Sequence, residues 1–168
     1  FSSHPVTGEL TTIIEGSWGL GEAVVSGTVS PDNYVYDRRS GRVVDRYIAN
    51  KLTEIIPDGD HGTKVVEVSE DRQNAPVLSD EEIATLSEFA VTSEAHYGVP
   101  QDLEWGILDG EVYILQSRPI TTINNQSVAA GPEMEATGKL LLKGQGASPG
   151  IASGSVVIVN TVGDLALV

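Results

Sequence analysis

Asp102-Leu-Glu-Trp-Gly-Ile-Leu-Asp-Gly-Glu-Val-Tyr-Ile-Leu-Gln-Ser-Arg118 carries the strongest structural signal in the chain. Apolar and polar residues alternate with period two on both sides of an Asp-Gly pair, which is typical of a β-hairpin. The apolar set is odd-numbered on both strands: Leu103, Trp105, Ile107, Tyr113 and Leu115. The apolar residues of both strands face one core only if the residue numbers of directly opposed positions add up to an even number. We therefore predict a three-residue loop at 108–110 with Gly110 in the left-handed conformation.

Polar side chains occupy the opposite face of the predicted hairpin. In that register Asp102, Glu104, Gln116 and Arg118 share this face. Glu104 and Gln116 are then diagonal neighbours, with backbones about 7–8 Å apart, and their oxygens can share one hard cation such as Mg²⁺. Arg118 can bind two phosphate oxygens through its planar guanidinium. The pattern predicts a metal–nucleotide site with Glu104 and Gln116 as metal ligands.

A second interpretation of the same pattern is a solvated polar face on a half-buried hairpin. Gly106, Val112 and Ile114 would share that face, which is too apolar for open solvent and so favours a covered site. Arg118 also precedes Pro119 at the end of its strand. The spacing alone leaves both interpretations open.

A glycine-rich segment lies upstream, Ile14-Glu-Gly-Ser-Trp-Gly-Leu-Gly-Glu-Ala-Val-Val-Ser-Gly27. Glu15 and Glu22 stand near its two ends and are candidate contacts for the same ligand. The glycines would let the backbone approach a phosphate, or would permit close packing at a strand-to-helix corner. Their spacing matches neither the Rossmann nor the Walker pattern, so both alternatives remain open.

The rest of the pattern predicts further strands and one long helix. Strands are predicted at 11–15, 33–37, 42–48, 64–68 and 156–159, with a short helical segment inside 19–27. Ser79 and Glu82 can form a capping box at the start of a helix that ends at Gly98. Its predicted apolar stripe consists of Ile83, Leu86, Phe89, Ala90 and Tyr97. Residues 123–138 lack periodicity and indicate a linker to a second domain at 139–168.

The composition limits the possible partners. The chain has 168 residues, which corresponds to one domain, or to one and part of a second. Ten basic and 24 acidic side chains give a formal net charge of −14, which disfavours nucleic acid and anionic membranes as partners and is also compatible with a halophilic source. Cysteine is absent, which excludes thiolate metal sites and thiol nucleophiles. Neither a membrane-spanning run nor a signal peptide is recognisable, so a cytoplasmic location is expected.

Together these motifs resemble the dikinase family that includes phosphoenolpyruvate synthase (pyruvate, water dikinase), pyruvate phosphate dikinase and rifampicin phosphotransferase. The similar segments are 1–9, 15–27 with Ser30-Pro-Asp-Asn-Tyr34, 78–83, 96–105 and 113–119. They cover most of residues 1–122. Around 15–34 the sequence is more similar to the synthase and rifampicin branch than to the phosphate dikinase.

The resemblance implies an α+β fold in which residues 1–122 form the later part of an ATP-grasp-type nucleotide-binding domain. It places Glu104 and Gln116 at Mg²⁺ and the phosphates of ATP, Arg118 on the transferred or adjacent phosphoryl group, and Asp102 beside them. Glu15 and Glu22 are similar in position to acidic residues that line the family's nucleotide cleft. Residues 139–168 resemble the first strands of a swivelling phosphohistidine domain.

The function implied by the resemblance is conversion of pyruvate, ATP and water to phosphoenolpyruvate, AMP and phosphate by way of a phosphohistidine. His4, His61 and His96 lack the Thr-Ser-His context of that histidine, so it is expected beyond Val168. The upstream lysine and arginine that grip the triphosphate are also expected outside these residues. Two alternatives stay open: another dikinase on the same scaffold, such as an antibiotic phosphotransferase, or a folded module that binds ATP weakly or not at all by itself.

Overall fold

The computed structural model describes residues 1–5, 8–121 and 154–158. The chain divides into two compact units, Phe1–Ala129 and Ala130–Val168. The predicted linker at 123–138 lies outside the described residues, as does most of the predicted second domain at 139–168. Residues 154–158 form neither helix nor strand, and Val156 and Ile158 are exposed, which differs from the strand predicted at 156–159.

The described part of the first unit mixes strands and helices. The strands are β1 (Thr11–Gly16), β2 (Asp32–Asp37), β3 (Arg42–Tyr47), β4 (Thr53–Pro57), β5 (Thr63–Glu67), β6 (Gln101–Leu108) and β7 (Glu111–Pro119). The helices are α1 (Glu22–Val25), α2 (Glu70–Gln73) and α3 (Asp80–Tyr97), with a 3₁₀ turn at Gly59–His61. The strands predicted at 11–15, 33–37, 42–48 and 64–68 are confirmed to within one residue. β4 and α2 were not predicted individually.

The strands form three antiparallel sheets, ordered β1–β2–β3, β4–β5 and β6–β7. The first two residues of the chain connect the first sheet to the third. The Ile13 N–H donates to the Phe1 carbonyl (3.1 Å), and the Ser2 N–H donates to the Gln101 carbonyl (2.8 Å). The Gln101 N–H in turn donates to the Ser2 hydroxyl (2.8 Å). β1 and β6 are therefore tied to each other through Phe1 and Ser2.

Helix α3 begins and ends as predicted. The Glu82 N–H donates to Ser79 Oγ (3.2 Å) and the Ser79 N–H donates to Glu82 Oε2 (2.8 Å), which is a complete capping box. Gly98 adopts φ 74° and its N–H donates to the Glu94 carbonyl (2.8 Å). No helix in the described residues is long and apolar enough to cross a membrane.

One core lies between α3 and two of the sheets, β1–β2–β3 and β6–β7. Its buried members are Ile14, Tyr34, Leu78, Ile83 and Leu86, against which Trp105, Ile107 and Val112 pack. Thr12 and Ser87 are also buried here, with their hydroxyls 2.8 Å apart. Phe89 and Tyr97 were predicted in the stripe but are exposed, because the buried face of α3 runs through Ile83, Leu86, Ser87 and Ala90. Even-numbered residues of β1 and odd-numbered residues Trp105 and Ile107 of β6 therefore face the helix.

The hairpin turn differs from the predicted one. Near the turn, opposed residues sum to an odd number, as in Trp105 with Ile114 and Ile107 with Val112. The loop is the pair Asp109 and Gly110, whose φ angles of 53° and 80° fit a type I′ turn. The predicted three-residue loop was wrong, because the additional residue lies within β7 instead.

That additional residue is Leu115, which forms a β-bulge between Ile114 and Gln116. A bulge changes which residues of its strand face the core, so Val112 packs on the core from the turn side. Tyr113 and Leu115, predicted in the core, are instead 46% and 68% exposed. The bulge therefore changes the register by one residue inside β7, whereas this change was predicted in the turn.

Candidate functional site

Two pairs of polar residues lie directly opposite each other on β6 and β7. Asp102 is opposed to Arg118, and Glu104 is opposed to Gln116. The prediction that these four side chains share one face is confirmed. Glu104 and Gln116 are directly opposed rather than diagonal, so their Cβ atoms lie only about 4.5–5.5 Å apart.

Asp102 and Arg118 form an ion pair. Nε of Arg118 donates to Asp102 Oδ2 at 2.9 Å, and Nη2 of Arg118 lies 2.8 Å from the same oxygen. The Asp102 side chain is 20% exposed and that of Arg118 is 61% exposed. A guanidinium carries five N–H donors, and the hydrogen bond to Asp102 uses one of them. The ion pair thus orients the guanidinium while leaving most of its donors to an incoming anion.

Glu104 and Gln116 supply the second pair. Gln116 Nε2 donates to Glu104 Oε1 at 3.5 Å, and both side chains are exposed. A half-turn of the amide brings Oε1 of Gln116 toward the carboxylate, which gives two oxygen ligands from neighbouring strands. Mg²⁺ is commonly held by one or two carboxylates together with substrate phosphates and water, so this donor set fits it. No group of three or more His, Cys, Asp or Glu that could hold a metal occurs within residues 1–5, 8–121 and 154–158.

Glu15 lies on the side of β1 that faces away from α3, as the hairpin pairs do on β6. Its carboxylate is exposed and accepts a hydrogen bond from Asn33 Nδ2 at 3.2 Å. Burial lowers the pKa of the Phe1 amino group, whereas the negative charge of Asp102 and, to a smaller extent, that of Glu15 raise it. Glu15 of β1 and Asp102 of β6 thus both act electrostatically on the amino group of Phe1.

Glu22 has a different environment. It starts α1, and its carboxylate accepts a hydrogen bond from the Thr63 hydroxyl of β5 at 3.4 Å. The helix packs through Ala23 in a separate small cluster with Val29 and Ile55. The contacts of Glu22 are thus with β5, not with the polar face of the hairpin.

Two glycines between these acids serve close packing. A Cβ atom on Gly16 would lie 3.1 Å from the indole ring of Trp105. Gly19 has φ 74°, and a Cβ atom there would lie 2.3 Å from the Ile55 carbonyl oxygen. The next residue donates its N–H to the same carbonyl at 2.7 Å. At these two positions the structure shows the strand-to-helix corner, the second of the two alternatives left open by the sequence.

A buried charged network at the start of β2 was not predicted. Asp32 and Lys51 form an ion pair with both side chains 0% exposed. Asp32 also accepts hydrogen bonds from the Tyr34 hydroxyl and the Val77 N–H, each at 2.9 Å. Burial, followed by the bond to Asp32, raises the pKa of Tyr34. Asp32 lies in the segment 30–34 that carries part of the family resemblance, whereas Lys51 lies in no motif singled out from the sequence.

Residues 1–139 match the sequence model of one protein family, described as pyruvate phosphate dikinase, AMP/ATP-binding domain. A probable phosphoenolpyruvate synthase of Archaeoglobus fulgidus is 51% identical over 161 residues, which is 95% of this chain and 21% of that protein. A probable phosphoenolpyruvate synthase of Methanothermobacter thermautotrophicus is 48% identical over 166 residues, 98% of this chain and 24% of that protein. A rifampicin phosphotransferase of Streptomyces is 44% identical over 124 residues, 73% of this chain and 14% of that protein. The chain spans less than a quarter of the length of each of these relatives.

Proposed function

Because the chain belongs to the family of pyruvate phosphate dikinase AMP/ATP-binding domains, we propose that it supplies the metal- and phosphate-binding side of the ATP site in a cytoplasmic phosphoenolpyruvate synthase. The reaction proposed for the full-length protein converts pyruvate, ATP and water to phosphoenolpyruvate, AMP and phosphate. In this proposal residues 1–122 are the later part of an ATP-grasp-type domain, and residues 139–168 begin the swivelling phosphohistidine domain. The observation that carries the proposal is that two pairs of directly opposed polar residues, Asp102 with Arg118 and Glu104 with Gln116, lie on one face of the hairpin.

Glu104 and Gln116 would hold Mg²⁺ in this proposal. Bound there, the ion neutralises phosphate charge and orients the phosphates for transfer. The two side chains stand on antiparallel strands that are hydrogen-bonded to each other, so the ladder itself fixes their separation. A carboxylate opposite an amide also brings one negative charge to the metal rather than two, which leaves room for the charges of the phosphates.

Arg118 would bind the transferred or adjacent phosphoryl group. Its Nε edge is occupied by Asp102, so the guanidinium presents its other donors in a fixed plane. Phosphoryl transfer needs positioning and charge neutralisation more than covalent help, and an oriented arginine supplies both. Asp102 acts through Arg118 in this arrangement and is a positioning residue.

The acidic composition gives these few groups added importance. With a net charge of −14, the chain as a whole repels a polyphosphate. Attraction must then come from Arg118 and from a cation held by Glu104 and Gln116. We place Glu15 at the edge of the same site and assign Glu22 to the cleft margin, in accord with its contact to β5.

A second candidate is a phosphotransferase that acts on an antibiotic. It is favoured by the Streptomyces relative, which is 44% identical over 124 residues. The ATP-binding face would serve both reactions in the same way. The sequence that follows residue 168 distinguishes them, because a pyruvate-binding barrel indicates the synthase and a short histidine domain alone indicates the antibiotic enzyme.

The decisive experiment replaces Arg118 with alanine in the full-length protein. Loss of one oriented charge donor is expected to slow transfer of label from radioactive ATP to the protein by about 10²–10³-fold. Arg39→Ala is the matched control, since Arg39 is an exposed arginine in the turn after β2, and it is expected to leave the rate unchanged. Full transfer by the Arg118→Ala protein would overturn the assignment.

The metal ligands are tested separately. Glu104→Gln is expected to raise the Mg²⁺ concentration needed for half-maximal transfer, whereas Glu111→Gln on the same hairpin is expected to leave it unchanged. Equal Mg²⁺ dependence in both variants would remove Glu104 from the metal site. For these 168 residues alone, we expect calorimetry with Mg·ATP to show weak binding or none, and micromolar binding would contradict that expectation.

A further inference from the structure

The strand that carries Arg118 ends at a residue that cannot donate a backbone hydrogen bond. Pro119 lies directly opposite Gln101 and has no N–H group for the ladder. The next N–H, that of Ile120, donates to the Pro100 carbonyl at 2.9 Å, just outside β6. A chain segment with few backbone hydrogen bonds opens locally at low cost in free energy. The position of Arg118 therefore depends on what else holds the last residues of β7.

A buried glutamine holds this end of the strand. Gln101 is 1% exposed, and its side-chain oxygen accepts a hydrogen bond from the Ser117 hydroxyl at 2.9 Å. Its side-chain NH₂ group donates to the carbonyls of Val99 (3.0 Å) and Pro100 (3.3 Å). Because carbonyls can only accept, the NH₂ group must face them, and the amide oxygen is left for the hydroxyl. The orientation of the Gln101 amide is thus fixed, and with it the acceptor that holds Ser117.

The backbone of Gln101 is held in turn by Ser2, which is fully buried. The Ser2 N–H donates to the Gln101 carbonyl, and the Gln101 N–H donates to the Ser2 hydroxyl, each at 2.8 Å. The Ser2 carbonyl accepts a hydrogen bond from Arg38 Nη1 at 3.0 Å, and the same nitrogen lies 3.1 Å from Glu94 Oε2 of α3. Buried polar groups that satisfy one another in this way form a rigid network. Gln101 is therefore an anchored point to which β7 is attached.

Ser117 and Arg118 point to opposite sides of β7, because successive side chains of a strand alternate. Ser117 is opposed to Leu103 on the partly buried side, whereas Arg118 is opposed to Asp102 on the polar face. The hydrogen bond from Ser117 to Gln101 thus holds the backbone from the core side, at the residue immediately before the arginine. Asp102 orients the guanidinium, and Gln101 fixes the backbone that carries it.

We propose that Gln101 and Ser117 are positioning residues for Arg118, which hold the guanidinium where the phosphoryl group is transferred. This inference rests on the proposed function, because it takes phosphate binding by Arg118 as given. Gln101 is buried and Ser117 lies on the other side of the strand, so both act through the arginine. A cation contributes most to phosphoryl transfer where it meets the developing charge, so displacement of Arg118 lowers the rate of transfer more than it weakens ATP binding.

The test compares Ser117→Val with Ser117→Thr in the full-length protein. The two side chains have nearly the same shape and both suit a strand, but only threonine keeps the hydroxyl. Transfer of label from radioactive ATP at saturating Mg·ATP is expected to fall about tenfold in Ser117→Val, since a misplacement of about 1 Å can cost about 10²-fold. Ser117→Thr is expected to stay within about threefold of the wild-type rate. The KM for Mg·ATP is expected to change by less than about twofold in both variants.

Two further variants control for loss of stability. Ser87→Ala removes a buried hydroxyl that lies 2.8 Å from the Thr12 hydroxyl, between α3 and β1. It is expected to lower the urea midpoint of unfolding without changing the rate of transfer. Ser117→Ala removes the hydroxyl of Ser117 without adding volume. It takes the place of Ser117→Val if the valine protein does not fold, and the same loss of rate is expected.

A double variant shows whether Ser117 acts through Arg118. In a protein that already carries Arg118→Ala, Ser117→Val is expected to slow transfer by less than about a further twofold, because the group that it positions is gone. If the losses of the two single variants multiply instead, the positioning role is overturned. It is also overturned if Ser117→Val transfers label as fast as Ser117→Thr, or if Ser87→Ala slows transfer equally. If Arg118→Ala alone transfers label at the full rate, the proposed function itself fails.

Discussion

The buried pair of Asp32 and Lys51 allows a quantitative test of what holds the sheet that presents Glu15. Both side chains are fully buried. Asp32 accepts four hydrogen bonds, from the Lys51 ammonium, the Tyr34 hydroxyl and the N–H groups of Ala49 and Val77. Removing one partner of such a pair leaves an uncompensated buried charge and typically costs about 3–5 kcal/mol. The two single replacements are nevertheless expected to differ.

The difference follows from what each replacement leaves behind. In Lys51→Met the carboxylate keeps three donors, so the free energy of unfolding should fall by about 3 kcal/mol, the low end of the range. In Asp32→Asn the amide oxygen can keep Lys51, but the amide NH₂ then faces the Val77 N–H, donor against donor. The ammonium also loses its counter-charge, so the loss should approach about 5 kcal/mol.

Urea unfolding of the 168-residue chain, followed by intrinsic tryptophan fluorescence, measures both losses. Lys64→Met is the matched control, because it removes a surface pair with Asp58 whose side chains are 50% and 41% exposed. That control should cost less than about 1 kcal/mol. The reasoning is refuted if Lys51→Met costs as much as Asp32→Asn, or if either falls within the range of the control.

Three further outcomes concern local geometry. Gly19→Ala is expected to lower the urea midpoint of unfolding strongly. A φ of 74° alone costs about 1–2 kcal/mol for a non-glycine residue, and the new Cβ atom would lie 2.3 Å from the Ile55 carbonyl oxygen. An unchanged midpoint would contradict this prediction. Ser79→Ala should cost about 1 kcal/mol through loss of the α3 cap, as measured by the same assay, and Ser79→Thr should restore most of it. Hydrogen bonds from the Arg39 N–H and the Ser40 hydroxyl lower the pKa of Asp37. The stability that this carboxylate contributes is therefore present above the unfolded-state pKa of about 3.9 and is lost as the pH falls through the lower pKa of the folded state. A carbon-13 NMR titration that shows an ordinary pKa for Asp37 would contradict this prediction.

Features that depend on local sequence were predictable, and features that depend on distant partners were not. The capping box of α3 needs only Ser79 and Glu82, which are three residues apart, and its prediction was correct. Phe89 fits an apolar stripe in the sequence, yet it is exposed because the sheets cover only the adjoining face of the helix. Lys51 could not be recognised as buried, because nothing near it in sequence shows that Asp32 lies within reach. For the site, the residue types indicated phosphate and metal chemistry, while only the structure separated Glu15 from Glu22.

The hairpin shows why the shared polar face was predicted correctly although the predicted turn was wrong. Placing Glu104 and Gln116 on one face requires one extra residue somewhere between them, and both a three-residue loop and a bulge satisfy that condition. Asp109 and Gly110 favour a two-residue type I′ turn, so local turn chemistry moves the extra residue into the strand. A loop residue would have left Leu115 in the core, whereas the bulge exposes it beside Gln116. The same bulge that keeps the polar pairs on one face therefore creates the apolar surface next to them, which is why the two surfaces are contiguous.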